Sequence, residues 1–336
     1  MNVDRASEIG HEHHGSSDDP SLLDFSANVN PLVPDGVEAV YIDALEGARR
    51  YPTEPPEHFR RHAAASVDCH PSEVVPTPGG LSAIRLAISV TVSRGASVLV
   101  PAPSFAEYAR EVRLQGGEPV FVPHDELLAA NPSPHSLAIV CHPNNPTGEL
   151  CDPEALRAFA NRCVAGGTPL LVDEAFLGFT ARPSLAGKDG VIVARSLTKL
   201  YGLPGIRSGF AVATGRYRDA LAGARQPWNV SQPALATGSY CLQQPDFVQE
   251  TRERVASERN RLRERLSDRF DVYPSDSPFL LLDVRDRTAE SVCERARADG
   301  IAIRDATTFR GLDSHVRLAV RLPEENDRLL EVLERV

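Results

Sequence analysis

Chemistry in this sequence gathers around one lysine. Lys199 stands in Arg195-Ser196-Leu197-Thr198-Lys199-Leu200-Tyr201-Gly202, just past an apolar run and among small hydroxyl residues, with Arg207 further on. The only other lysine in the chain is Lys188. A sequence that has discarded nearly every amine and kept one here suggests a Schiff base with a carbonyl compound. Asp173 closes the apolar run Leu170-Leu171-Val172. A carboxylate at that edge can pair with a protonated ring nitrogen, although alone it reads as a helix cap. Asn145, in Pro143-Asn144-Asn145-Pro146-Thr147-Gly148, offers an amide donor, although alone the segment is a tight turn. Gly79-Gly80-Leu81 follows another apolar run and opens a helical stretch, so its free N–H groups could hold a phosphate. The dinucleotide pattern G-x-G-x-x-G is absent there.

These four points need elements that bring them to one edge. Short apolar runs at 73–77, 97–101, 119–123, 137–141, 169–173, 190–195 and 209–214 read as strands covered on both faces. Helical stretches at 80–93, 105–115, 153–165 and 217–224 lie between them, and Asp152-Pro153 is a cap followed by proline at the first helical position. This alternation predicts an α/β fold with an open, mainly parallel sheet and helices on both sides. Its carboxyl edge is where such folds bind ligands. Beyond Pro233 the pattern changes. A long Arg/Glu-rich stretch at 246–270 reads as a bridging helix. A smaller α+β unit follows, with strands near 271–273, 279–284, 301–304 and 316–320 and helices near 288–298 and 323–336. We expect an N-terminal arm over 1–40 packed on the small domain, a large ligand-binding domain over 41–240 and a small C-terminal domain over 241–336.

Composition narrows the class. Lys+Arg total 36 against 46 Asp+Glu, a formal net charge of −10, which disfavours nucleic acid and anionic lipid as partners. No stretch approaches the roughly 20 apolar residues that span a bilayer, and the polar start has no signal-peptide core, so a cytoplasmic protein is expected. The six cysteines form no C-x-x-C pair and match no zinc spacing. They are expected to be reduced and mostly buried, and no metal site is expected. His11, His13 and His14 read as a solvated tail. The acidic, lysine-poor composition fits either a high-salt cytoplasm or a GC-rich genome.

An amine, a carboxylate for a ring nitrogen, an amide for a ring oxygen and a phosphate cradle together describe the needs of pyridoxal phosphate. The order Gly79-Gly80, Asn145-Pro146-Thr147-Gly148, Asp173, Ser196-x-x-Lys199 and Arg207 resembles the class I/II aminotransferase family, the fold type I pyridoxal-phosphate enzymes, over nearly the whole chain. Within that family the chain is most similar to the threonine-phosphate decarboxylases, followed by the histidinol-phosphate aminotransferases. Leu23–Leu32, Ser104-Phe105-Ala106-Glu107-Tyr108, Asp173-Glu174-Ala175-Phe176, Gln226-Pro227-Trp228-Asn229-Val230 and Gly311-Leu312-Asp313-Ser314 carry that similarity.

The resemblance implies roles. Lys199 would link to the cofactor and shuttle protons. Asp173 would keep the ring nitrogen protonated, and Asn145 would donate to the ring oxygen. Phe105 would stack on the ring, with Tyr108 beside it as a second stacker. Gly80, Leu81, Ser196 and Arg207 would hold the phosphate, and Tyr51 would reach it from a neighbouring subunit, which implies a homodimer. Arg321 would bind the substrate carboxylate, with Arg304 and Asn28 lining the substrate side. Two departures stand out. Phe176 replaces the tyrosine of the aminotransferase pattern, and His14-Gly15-Ser16 replaces His-Gly-Gly. Two enzyme readings follow: decarboxylation of L-threonine O-3-phosphate, a small phosphorylated amino acid, in cobalamin biosynthesis, and 2-oxoglutarate-dependent transamination of histidinol phosphate. The non-enzyme reading is a cofactor-binding sensor domain, but nothing in the chain reads as an added helix-turn-helix.

Overall fold

The computed structural model describes residues 3–12 and 14–335. Its centre is a seven-stranded sheet. Across the sheet the order is Val74–Thr77, Gly209–Val212, Val191–Ser196, Leu170–Asp173, Leu137–Cys141, Ser97–Ala102 and Glu118–Pro123. Only Gly209–Val212 runs against the rest. The pleat explains why the central strands are apolar throughout. Along Leu137–Cys141, residues 137, 139 and 141 enter one core, and Ala138 and Val140 enter the other. The helix Gly80–Thr91 covers the first core with Ile84 and Ile88. Pro153–Gly166 covers the second with Leu156 and Phe159. Asp152 caps the latter helix by accepting from the amides of Glu154 and Ala155, as its sequence predicts.

A four-stranded antiparallel sheet follows, in the order Arg304–Asp305, His315–Ala319, Phe279–Asp283 and Asp271–Val272. The 22-residue helix Pro245–Leu266 leads into it, and the final helix Pro323–Leu333 packs on that long helix. The N-terminal chain is tied to this unit. Leu23–Asp24 pairs in parallel with Ile301–Ala302, and the Ala319 amide donates to the Phe25 carbonyl at 2.8 Å. Further upstream, the short helix Val3–Glu8 packs on the helix Glu107–Leu114.

The sequence patterns did not suggest the helices Val37–Gly47, Glu57–Val67 and Gln232–Cys241. The first and third lack a clean apolar stripe, whereas Glu57–Val67 carries one in Phe59, Ala63, Ala64 and Val67 that the sequence reading passed over. Only Val37 is buried in the first, while the third is buried along most of its length. Val37–Gly47 packs on Gln232–Cys241 and leaves Tyr41, Ile42 and Leu45 exposed. Among the described residues no helix is long and apolar enough to cross a membrane.

Candidate active site

A cavity of about 300 Å³ opens at the carboxyl ends of the central strands. Gly80, Leu81, Phe105, Asn145, Asp173, Ser196, Lys199 and Arg207, all named from sequence, line it. Fold geometry accounts for the convergence. Cys141, Asp173 and Ser196 end three adjacent strands, and the loops beyond them carry Asn145 and Lys199 to the same edge.

Asp173 is buried. Tyr108 donates its hydroxyl to Asp173 Oδ2 at 2.5 Å, and the Ala175 amide donates to Oδ1 at 3.0 Å. Burial pushes the Asp173 carboxyl up from its ordinary value, while the Tyr108 bond opposes that rise. Tyr108 therefore differs from its expected role as a ring stacker. It lies fully buried beneath Phe105, edge to face at 5.6 Å between centroids, and off the cavity wall. Phe105 precedes the helix Glu107–Leu114, whereas Tyr108 lies in its first turn, where its hydroxyl reaches Asp173 instead of the cavity. Lys199 is pulled down to about 8, first by burial and then by the charges of Arg317 and Arg207. The charged form still predominates near neutral pH, but the share present as free amine is far larger than for an ordinary lysine.

At the other end of the floor, the Gly80–Thr91 helix begins at Gly79, φ 92°, with no side-chain cap. Its first amides face the cavity unclaimed. A Cβ on Gly79 would come within 2.5 Å of Arg207 Nη2, and one on Gly80 within 3.0 Å of Ser196 Cβ. The φ at Gly79 favours glycine, and both positions leave the Arg207 guanidinium and the Ser196 side chain close against the backbone. Arg207 adopts φ 57°, a left-handed conformation unusual for a side chain of its size. That turn lets it bond the carbonyls of Pro204 and Pro78, beside the helix start. The Ser196 and Thr198 hydroxyls, 2.8 Å apart, complete the cradle.

The substrate-side expectations fare unevenly. Asn28 and Arg304 line the cavity, but Arg321 does not. Arg321 lies past the end of His315–Ala319, where Glu325 of the last helix pairs with it at 2.9 Å and the Asp24 carbonyl accepts from it. The arginine in the cavity is Arg317, on the strand itself. It is 5% exposed, donating to Asn145 Oδ1 at 2.5 Å and to the Ser26 carbonyl at 3.1 Å. Arg317 sits directly opposite Arg304 in the antiparallel register, and both guanidiniums lie within 6 Å of the Phe309 ring centroid. Burial, then the charge of Arg304, pulls Arg317 down to about 9. Sequence reasoning chose the wrong member of Arg317-Leu318-Ala319-Val320-Arg321. Strand alternation does not separate them, since residues four apart share a face; what does is the end of the strand at Ala319 and the pairing of Arg321 with Glu325 beyond it.

Other cavity residues were not singled out: Phe309 and Thr308 from the loop after Arg304–Asp305, and Glu12 from the arm, whereas Gly15 was named only as part of the departure from His-Gly-Gly. His14, taken from sequence as part of a solvated tail, lines the cavity too. Its companion His13 lies outside the described residues. Phe176 lines the wall without offering a donor. Tyr51 is not in this chain's own cavity. It is 77% exposed and stacked on Trp228 at 4.4 Å.

The cavity's residues fit a phosphorylated, aromatic carbonyl compound. An uncapped helix start would face its phosphate and Phe105 its ring, and the buried carboxylate of Asp173, held by Tyr108 and the Ala175 amide, makes no ion pair at salt-bridge distance among the described residues. Asn28 Oδ1 and Arg317 Nε, both on cavity-lining residues, are buried without a hydrogen-bond partner.

The sequence pattern of "Aminotransferase class I and II" matches residues 21–333. The chain is 33% identical over 334 residues to the threonine-phosphate decarboxylase of Salmonella typhimurium, covering 94% of this chain and 91% of that protein. It is 30% identical over 329 residues to the histidinol-phosphate aminotransferase of Methanosarcina mazei, covering 94% and 88%. Its fold matches the histidinol-phosphate aminotransferase of Sinorhizobium meliloti, solved in complex with pyridoxal 5′-phosphate. That match has a TM-score of 0.82 and 25% identity, covering 92% of this chain and 90% of that one.

Proposed function

As a member of the aminotransferase class I and II family, this chain, we propose, binds pyridoxal 5′-phosphate in the cavity and decarboxylates L-threonine O-3-phosphate to (R)-1-aminopropan-2-ol phosphate and CO2. When bound, the cofactor supplies an electron sink for the pair released at the substrate's α-carbon. Lys199 is the amine that carries the cofactor and returns a proton to that carbon. A protonated ring nitrogen would give Asp173 the counter-charge that burial withholds, and Tyr108 holds the carboxylate in place. Arg317 grips Asn145 through Oδ1, leaving the amide's N–H groups to donate to the ring oxygen. The uncapped helix start, Ser196 and Arg207 hold the cofactor phosphate.

The observation that carries the choice of substrate is the cross-strand pair Arg304–Arg317. Two guanidiniums meet at one end of a small cavity, each within 6 Å of the Phe309 ring centroid. Such a pair calls for two anionic groups a few bonds apart, as a carboxylate and a phosphate are on threonine phosphate. Phe176 supports the same reading, since it withholds a hydroxyl that the aminotransferase pattern would place on the ring oxygen. The identity to the Salmonella typhimurium decarboxylase adds to it. An assay of purified protein with both phosphorylated substrates tests the proposal. CO2 release from threonine phosphate is expected, with unphosphorylated threonine turned over poorly. Faster amino transfer from histidinol phosphate to 2-oxoglutarate would replace this reading with the transaminase one.

We also propose a homodimer in a reducing compartment. Ile42 is 62% exposed and Trp228 48% exposed, beside the outward-facing Tyr51. Exposed apolar side chains of this kind are what subunit contacts cover. All six cysteines are free.

A further inference from the structure

Glu107 is a nearly buried carboxylate that the proposed chemistry does not use. It sits on the first turn of the Glu107–Leu114 helix, two residues past Phe105 on the cavity wall. His14 Nε2 lies 3.0 Å from its Oε1, and Arg110 donates to its Oε2 at 3.3 Å. Burial alone would raise this carboxyl, but the bond to His14 and the charge of Arg110 hold it below its ordinary value. Arg110 also donates to the Gly10 carbonyl at 2.9 Å. One helix turn therefore grips the arm at two points. Between and beyond those points Glu12, His14 and Gly15 line the cavity, and the His14 ring lies 5.6 Å from the Phe105 ring.

Gly15 shows that this seat is a close fit. A Cβ there would lie 2.1 Å from the Ser26 carbonyl oxygen and 3.2 Å from Arg317 Nη2. Only a bare backbone can pass between the arm's own strand and the buried arginine. The arm thus touches both halves of the cavity, with Glu107 on the floor side and Arg317 on the roof side.

We infer that Glu107 is a positioning residue that seats the arm across the cavity mouth through His14, and so sets how tightly the cavity holds a phosphorylated substrate. The second half of this statement rests on the decarboxylase reading; the seating itself does not.

Two measurements on the intact protein test it. In amide hydrogen exchange, Glu107→Met and His14→Ala should each speed exchange around Gly10, Glu12 and His14 about tenfold or more, because local opening sets that rate. The double variant should add little, since the two residues act as one contact. Glu107→Gln, which keeps an acceptor, should restore part of the protection. In turnover of threonine phosphate, both single variants should raise KM about tenfold and change kcat by less than about threefold. Unchanged exchange in both variants overturns the seating. A fall in kcat with KM unchanged overturns the role in holding substrate. Because His14 lies on the arm, His14→Ala stays informative if Glu107→Met folds poorly. If the parent enzyme releases no CO2 from threonine phosphate, the functional reading fails, and the exchange measurement still decides the seating.

Discussion

The floor and the rim of the cavity are built by different means. The floor comes from one sheet: Asp173 and Ser196 end adjacent strands, Lys199 and Asn145 follow strand ends, and the Gly80 helix starts where a strand stops. Each of these residues is fixed by a core packed on both faces of that sheet. The rim comes from three separate pieces: the arm with Glu12, His14 and Gly15, the strand pair with Arg304 and Arg317, and the loop with Phe309. Those pieces are joined by short pairings and single ion contacts, such as the two-residue ladder between Leu23–Asp24 and Ile301–Ala302. A rigid floor suits bond chemistry, where ring, amine and carboxylate must be pre-placed. An assembled rim suits selection, because its pieces can vary in sequence without disturbing the floor.

The sharpest break of this comparison is at the floor. Lys199→Ala should abolish the visible absorbance of the bound cofactor and all turnover, whereas Lys188→Ala should leave both intact. A borohydride-reducible adduct persisting in Lys199→Ala would falsify the assignment. Next comes the rim. Arg317→Ala should lower kcat/KM for threonine phosphate by about 100-fold or more while cofactor absorbance survives, because losing a desolvated charge contact costs about 2–5 kcal/mol. Arg304→Ala should act in the same direction. Arg321→Ala should do far less to kcat/KM, since its guanidinium is already occupied by Glu325. If Arg321→Ala is the more damaging, the strand geometry has been misread.

That contrast shows what the sequence could say. Floor residues were legible because strand ends and helix starts leave local marks: an apolar run closing on Asp173, a Gly-Gly opening a helix, a lone amine after a strand. Each mark lies within a few residues of the chemistry. Arg317 left no such mark. Whether it or Arg321 enters the cavity depends on where His315–Ala319 stops and on Glu325 of the next helix, which is a tertiary fact. His14 is a still plainer case. Its partner Glu107 lies 93 positions away, and the likeness of His14-Gly15-Ser16 to His-Gly-Gly was the one sign in the polar N-terminal stretch of a seated arm. Tyr108 was found but given the wrong job, because the distance that decides its role is to Asp173, on a different strand.

A smaller effect tests whether the floor is complete within one chain. Tyr51→Ala should weaken pyridoxal phosphate binding by about 1–2 kcal/mol, the loss of one hydrogen bond to a charged group, if Tyr51 reaches a partner's cavity. Titration of the apo-protein followed by absorbance reads this directly. Light scattering on the same samples should give a dimer. A fully active monomer would place the whole floor in a single subunit and remove Tyr51 from it.

The effect with the least bearing on turnover lies beneath the floor, at Tyr108. Removing its hydroxyl in Tyr108→Phe leaves Asp173 Oδ2 buried with one donor fewer, and a buried acceptor stripped of its partner costs about 1–3 kcal/mol. The sign of the pH dependence follows from the carboxyl. Asp173 in the fold is already raised above its unfolded value by burial, and the Tyr108 bond opposes that rise. A group raised in this way is fully compatible with the fold below the unfolded value, where it is protonated in both states. It loses stability as the pH climbs through the folded value, because a bare charge must then stay buried. Taking away the phenol raises the folded value further, so the variant's deficit should be small in mild acid and grow toward neutral pH. Urea unfolding of the cofactor-free protein at pH 4.5 and 7.5 reads the difference, with unchanged slopes confirming the same unfolding transition. The rim should be indifferent: exchange around His14 should match the parent at both pH values. A deficit equal at the two pH values would mean that the phenol acts through packing alone, and Asp173 would then be held by the Ala175 amide and the sheet without it.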